Sequence, residues 1–276
     1  MAIIDLFSEV TEKNIVKSES GDPRIFGVLI GEVTKNYSME MPGRVCVSIH
    51  VRDEAKNVLK WARVAMPSSG SEWGHYFLPE IGDQVLVVFD QGIIDKPYVI
   101  GCIPKDRDKF LRGAKHQDNM IKKITTKHGS TIQFTDGSLY GDGTMEEGQN
   151  DKIRIFTANE THEILMDNEN KKIIVRDKDK YASIEMNTAS GAIEVKSLNK
   201  IELKAGETVS ITMNGQTGAL TITANDVSIK SNGKMVLSGT GQAELSGAVL
   251  NLSSQGKASL SAMGPVTVEG KPVKVG

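Results

Sequence analysis

From Gly191 onward, short apolar pairs recur every seven or eight residues, with one longer step between Val209 and Leu220. The series runs Ile193/Val195, Ile201/Leu203, Val209/Ile211, Leu220/Ile222, Val227/Ile229, Met235/Leu237 and on to Val273/Val275. Within a pair the two side chains flank a polar residue, the two-residue period of a strand with one buried face. Gly, Asn, Ser and Lys fill the gaps, and such residues let a chain turn. A fixed short period marks a β-solenoid, because one octad buries too little to offset the entropy of ordering itself and must stack on others.

Three solenoids compete. A hexapeptide β-helix needs a period of six. A calcium-binding roll needs an Asp in each turn, and Asp226 is the only Asp after Asp179. In an intertwined trimer, each octad crosses one face of a triangular prism. Composition favours the trimer over a single-chain β-helix: no aromatic residue follows Tyr181, so little is present to fill a wide interior. Residues expected at the threefold axis are Val209, Ile211, Leu220, Ile222, Val227, Ile229, Met235, Leu237, Leu245, Leu250, Leu252, Leu260, Val266 and Val268. At roughly 4.8 Å per strand, eleven octads give a rod on the order of 50 Å long.

The rest of the chain divides into four parts. Residues 1–22 carry an amphipathic stretch with Ile3, Ile4, Phe7 and Val10 on one helical face, either a packed helix or a docking arm. Residues 23–104 read as an OB-type Greek-key barrel with strands near 24–34, 43–52, 59–66, 84–90 and 97–103, and with Trp61 in its core. Residues 105–122 are a charged linker with room for a short helix. Residues 123–190 are hairpins leading into the octads of 191–276, so the fold class is all-β. The Gly-rich acidic stretch 140–151 reads as a loop.

The barrel segment carries Pro42-Gly43-Arg44-Val45, then Trp61-Ala62-Arg63-Val64, then Phe77-Leu78-Pro79-Glu80-Ile81-Gly82-Asp83 before a strand, and Pro97-Tyr98-Val99-Ile100-Gly101 at its end. This resembles the OB domain of the central spike of contractile phage tails and of the valine-glycine repeat (VgrG) spikes of type VI secretion. The strand pair near Thr131-Ile132-Gln133-Phe134 resembles the one that follows the barrel there, although His128-Gly129 reverses the usual order. The resemblance covers about residues 23–276. It implies a homotrimeric spike seated on a trimeric hub, with the tail tube beyond the hub and a target membrane pierced in passing. It also implies a separate cone-shaped proline-alanine-alanine-arginine (PAAR) tip protein, expected at Val273 and Val275. Ile3, Ile4, Phe7 and Val10 are the expected hub contacts. Only some 22 residues precede the barrel, so the hub is expected to be a separate protein, and no lysozyme-sized insertion separates barrel from rod.

Chemistry is sparse. The histidines are His50, His75, His116, His128 and His162, and no two lie within four residues, so no metal motif and no cofactor are expected. Glu146 and Glu147 are the only carboxylate pair considered for acid–base work, without a pocket to serve. A β-helical cell-wall or polysaccharide hydrolase would need aromatic platforms that the rod lacks. An OB-fold nucleic-acid module would need a basic groove, whereas residues 23–104 hold eight Lys/Arg against nine Asp/Glu. Net charge is −2, no apolar run approaches bilayer length, and the N-terminus lacks the pattern of a secretory signal. Assembly in the cytoplasm into a baseplate particle is therefore expected, with Cys46 and Cys102 reduced.

Overall fold

The computed structural model describes residues 15–17, 23–49, 58–137 and 148–274. The chain divides into two compact units, 1–223 and 224–276.

A short hairpin of β1 (Ile15–Lys17) and β2 (Pro23–Ile25) leads into the barrel. The barrel strands are β3 (Leu29–Lys35), β4 (Arg44–Ile49), β5 (Val58–Val64), β6 (Gln84–Phe89) and β7 (Pro97–Ile103). They close in the order β3-β4-β5-β7-β6, and the β5–β7 pair is parallel while the other pairs are antiparallel. This is the OB arrangement the sequence led one to expect. Alternation fixes which side chains go inside. Val33, Val45, Val47, Ile49, Ala62, Val85, Val87 and Val99 form the core and are all but sealed from solvent. Small β-branched residues suit this interior because strands cross it closely. A Cβ at Gly31 would lie 2.3 Å from Val47 Cγ1, so only glycine fits between β3 and β4 there.

Trp61 departs from expectation. It pairs with Cys46, and both neighbours of Cys46, Val45 and Val47, point inward, so Trp61 stands on the outer surface, half-buried. Cys46 and Ser48 are buried although they face outward, which makes β4 the strand covered on both sides. Both cysteines are free thiols.

The charged linker holds one helical turn, α1 (Lys109–Arg112), and ends where β8 (Ile121–Thr125) begins. Then come β9 (Thr131–Thr135), β10 (Lys152–Phe156), β11 (His162–Asp167), β12 (Lys172–Asp177), β13 (Ala182–Asn187) and β14 (Ala192–Ser197). These seven strands form one antiparallel meander in sequence order. The reversed His128-Gly129 order has a local reason: Gly129 has φ +100°, and the turn places glycine on the left-handed position. A second sheet follows, β15 (Lys200–Ala205), β16 (Val209–Asn214) and β17 (Ala219–Thr223). In-chain pairing thus runs on to Thr223, well into the region of octads.

Three of these hairpins are copies of one design. Ile164-Leu165-Met166-Asp167, Ile184-Glu185-Met186-Asn187 and Ile211-Thr212-Met213-Asn214 each end a strand. The last side chain of each accepts a backbone N–H three residues on, from Asn170 (3.0 Å), Ser190 (3.0 Å) and Thr217 (3.1 Å). The next residue is left-handed in every case: Lys171 (φ +55°), Gly191 (+71°) and Gly218 (+68°). An Asx side chain that satisfies the turn, followed by a left-handed residue, sends the chain back in register.

In the second unit, no described residue from Ala224 to Lys274 belongs to a β-ladder, and every one from Asn225 on is exposed. Two of its turns are alike. In Ser231-Asn232-Gly233-Lys234 the Ser Oγ accepts the Gly N–H at 3.3 Å, and Ser254-Gln255-Gly256-Lys257 repeats this at 3.3 Å.

Candidate functional site

Pairing registers across the seven-stranded sheet line up its apolar residues in two continuous rows. One row runs Ile124–Ile132–Ile155–Ile164–Val175–Ile184–Val195, each residue directly opposite the next. The second runs Phe134–Ile153–Met166–Ile173–Met186–Ile193. Both rows share one face. The three-stranded sheet continues the pattern: Leu203–Ile211–Ile222 and Ile201–Met213–Leu220 lie opposite one another, with Val209 on the same face. A single concave surface is lined by Phe77 of the barrel, by Ile132, Ile164, Ile184 and Val195, and by Ile201 of β15.

This face is bare in the single chain. Ile155 and Ile164 are 40% exposed, Val195 is 50% and Leu220 is 64%. A contiguous apolar surface of this size left uncovered marks an interaction site.

The opposite face is complete within the chain. On that face β10 carries Lys152, Arg154 and Phe156, β12 carries Lys172, Ile174 and Arg176, and β11 between them carries Glu163, Leu165 and Asp167. Glu163 is buried, with its carboxylate taking Arg154 Nε on one oxygen and Arg176 Nε, at 2.6 Å, on the other. Arg154 also reaches Glu160 at 2.9 Å and stacks over Phe156 at 4.4 Å from the ring centre. Lys152 bonds Glu169 at 2.6 Å, with Asp167 nearby, and Lys172 bonds Glu185 at 2.6 Å. Burial pushes the Glu163 and Asp167 carboxyls up, but their hydrogen bonds and the cations beside them win, and both end below the usual carboxylate values. Glu202 between Lys200 and Lys204 repeats the arrangement on β15.

The residues assigned to the threefold axis fall into two groups. Val209, Ile211, Leu220 and Ile222 are brought together on the apolar face of β16 and β17. Val227, Ile229, Met235, Leu237, Leu245, Leu250, Leu252, Leu260, Val266 and Val268 stand exposed along the second unit, as does Val273 of the expected tip contact. Val275, the hub residues Ile3, Ile4, Phe7 and Val10, and the carboxylates Glu146 and Glu147 lie outside the described residues. Sequence reasoning did not single out Ile164, Met166, Ile184 and their row partners as one apolar face; their signal was the same apolar pairing that marked the octads. His162 sits at the border of the apolar face opposite Asp177. Among the described residues no three His, Cys, Asp or Glu side chains gather as metal ligands, and no helix is long and apolar enough to cross a membrane.

Comparison with known proteins bears on the barrel. Residues 29–103, the barrel, match the family of the Type VI secretion system/phage-baseplate injector OB domain. The chain is similar to the type VI secretion system spike protein VgrG4b of Pseudomonas aeruginosa, 34% identical over 92 residues, which is 31% of this chain and 11% of that protein. It is also similar to the spike protein VgrG1a of the same organism, 26% identical over 114 residues, 40% of this chain and 18% of the relative. The match therefore spans less than a fifth of either relative's length.

Proposed function

We propose that this protein is the central spike of a contractile injection machine, of the phage-tail, phage-tail-like bacteriocin, extracellular or type VI kind, and that it works as a homotrimer. The bare apolar face carries the reading. Three sheets set with their apolar faces inward enclose one another, and the charge-paired faces remain in water. The same symmetry gives the second unit what it lacks. Its exposed backbone groups and evenly spaced Val, Ile, Leu and Met pairs would meet those of two other chains. Paired strands from three chains resist shear, since sliding one past another breaks many backbone hydrogen bonds together. Such a prism transmits the thrust of a contracting sheath into a target envelope.

The role is structural, and we assign the protein no reaction. Residues 3–10 would seat the spike on a hub, and Val273 with Val275 would meet a cone-shaped tip protein. Deletion of residues 265–276 is expected to abolish co-purification with that tip protein. Light scattering on a size-exclusion column should give three times the 30.0 kDa chain mass. A monomer would end the reading. A zone of peptidoglycan clearing in a zymogram, lost on mutation of Glu146 or Glu147, would overturn the non-enzymatic assignment.

A further inference from the structure

A different surface lies on the barrel. Residues 40–44 and the hairpin 68–75 wall a cleft, with the ends of β4 and β5 between them. Arg44 and Arg63 are directly opposite each other across that strand pair. Their neighbours Val45 and Ala62 are fully buried in the core, so both arginines stand on the outer face. Like charges placed opposite each other across strands destabilise a sheet. Neither guanidinium has an ion-pair or hydrogen-bond partner among the described residues. The fold gains nothing from this pair.

The wall beside it is built to a fixed shape. Gly70 N–H donates to Trp73 O at 2.7 Å, His75 N–H donates to Ser68 O at 2.9 Å, and Ser68 Oγ meets His75 Nδ1 at 2.9 Å. A Cβ at Gly70 would lie 2.5 Å from the Trp73 indole, which packs directly on the backbone there. Yet Trp73 is 67% exposed and Tyr76 69% exposed. A Trp and a Tyr held out into water beside two unpaired arginines are the residue types that dominate binding energy at protein interfaces.

We propose that this cleft docks a segment of a partner protein that presents an Asp or Glu carboxylate beside an apolar side chain. The two guanidinium forks match the planar, two-oxygen geometry of a carboxylate. Trp73 and Tyr76 cover the apolar neighbour. Glu40 and Glu72 line the same cleft, and repel a polyphosphate while leaving room for a single carboxylate. The proposal is argued from the barrel alone and not from the spike reading.

The test uses the full chain and tryptophan emission. The probes are the blocked peptide acetyl-Leu-Glu-Leu-amide, its Gln counterpart and inorganic phosphate at matched ionic strength. The Glu peptide should shift the emission saturably and bind about tenfold more tightly than the Gln peptide. The response should vanish in Trp73→Phe and in the Arg44→Gln/Arg63→Gln double variant, and persist in Lys204→Gln. The double variant should melt at or above the wild-type temperature, since it relieves a repulsion. Equal binding of the two peptides, binding that survives the double variant, or displacement by phosphate would overturn the proposal. So would a lower melting temperature or a changed oligomeric mass in the double variant, which would make the arginines part of the fold or of a self-interface.

Discussion

In the barrel, Val45, Val47, Val85, Val87 and Val99 point into a closed interior and are sealed from solvent. In β9–β14, side chains of the same kind stand on an open face, while the charged residues of the other face are hydrogen-bonded and partly buried. One region finishes its own core; the other finishes its polar side and leaves the core to be supplied. The difference comes from closure. Five strands that return to their starting edge enclose a volume, whereas a seven-strand meander of ordinary alternation has a dry face only if something else covers it. The chain thus holds one region with its own closed core and one whose apolar face stands open.

The sharpest way to break this contrast is to place a carboxylate on each surface. Val47→Asp should unfold the barrel at a cost of several kcal/mol, because a charge in a sealed apolar interior has no partner. Ile164→Asp should leave the melting of the barrel unchanged but remove the trimer from a size-exclusion profile. An Ile164→Asp protein that assembles normally would mean that the face is covered by something other than its own copies.

The polar face offers the next largest effect. Glu163→Gln leaves Arg154 and Arg176 without their shared acceptor, and should cost about 2 kcal/mol in thermal or urea unfolding. The sign of the pH dependence follows from the depressed carboxyls. Glu163 and Asp167 sit below their ordinary 4.5 and 3.8, so their contribution is present above those values and is lost as pH falls through the lower, folded-state ones. The melting temperature should therefore drop steeply in acid, and Glu163→Gln should flatten that drop. An unchanged slope would remove Glu163 from the account.

Smaller effects sharpen the picture of the turns. Gly191→Ala and Gly218→Ala should each cost about 1 kcal/mol, the penalty for a side chain in the left-handed region. Lys171→Gly should shift the melting temperature slightly upward, since glycine relieves the strain at Lys171 but gains freedom in the unfolded chain.

Much of this was legible in the sequence. Clean alternation gave the strand at Gln84–Phe89 to within a residue and the start of the one at Arg44–Ile49, whose expected end at 52 lies outside the described residues, and Thr131–Thr135 was expected as observed. Trp61 was not, because a large aromatic in a strand reads as core when the phase of the alternation is ignored; Ala62 beside it holds the inward position. The apolar pairs of 191–276 gave strand spacing but not strand partner. A pair every eight residues looks the same whether a strand folds back on its own neighbour or meets another chain. The turns carry that information: Asn187…Gly191 and Asn214…Gly218 reverse the chain onto itself, while the Ser-x-Gly-Lys turns at 231–234 and 254–257 join stretches without a ladder. The Arg44–Arg63 juxtaposition could not be read at all, since it exists only once β4 and β5 pair in this register.

Two of the matching hairpins lie in one meander and mark off a repeating unit of its sheet. Asp167 and Asn187 hold equivalent places, and so do Lys171 and Gly191. Excising residues 168–187 would join Asp167 to Thr188 and recreate the same turn, with Ile164 now facing Val195 and both rows of apolar residues intact. Inserting a further copy would do the reverse. That unit is two strands, roughly 9.6 Å across at the spacing of neighbouring strands. A sheet built this way can change its width without redesigning its apolar face. Fractions of a unit are forbidden to it, because a shift by one residue would turn every apolar side chain outward.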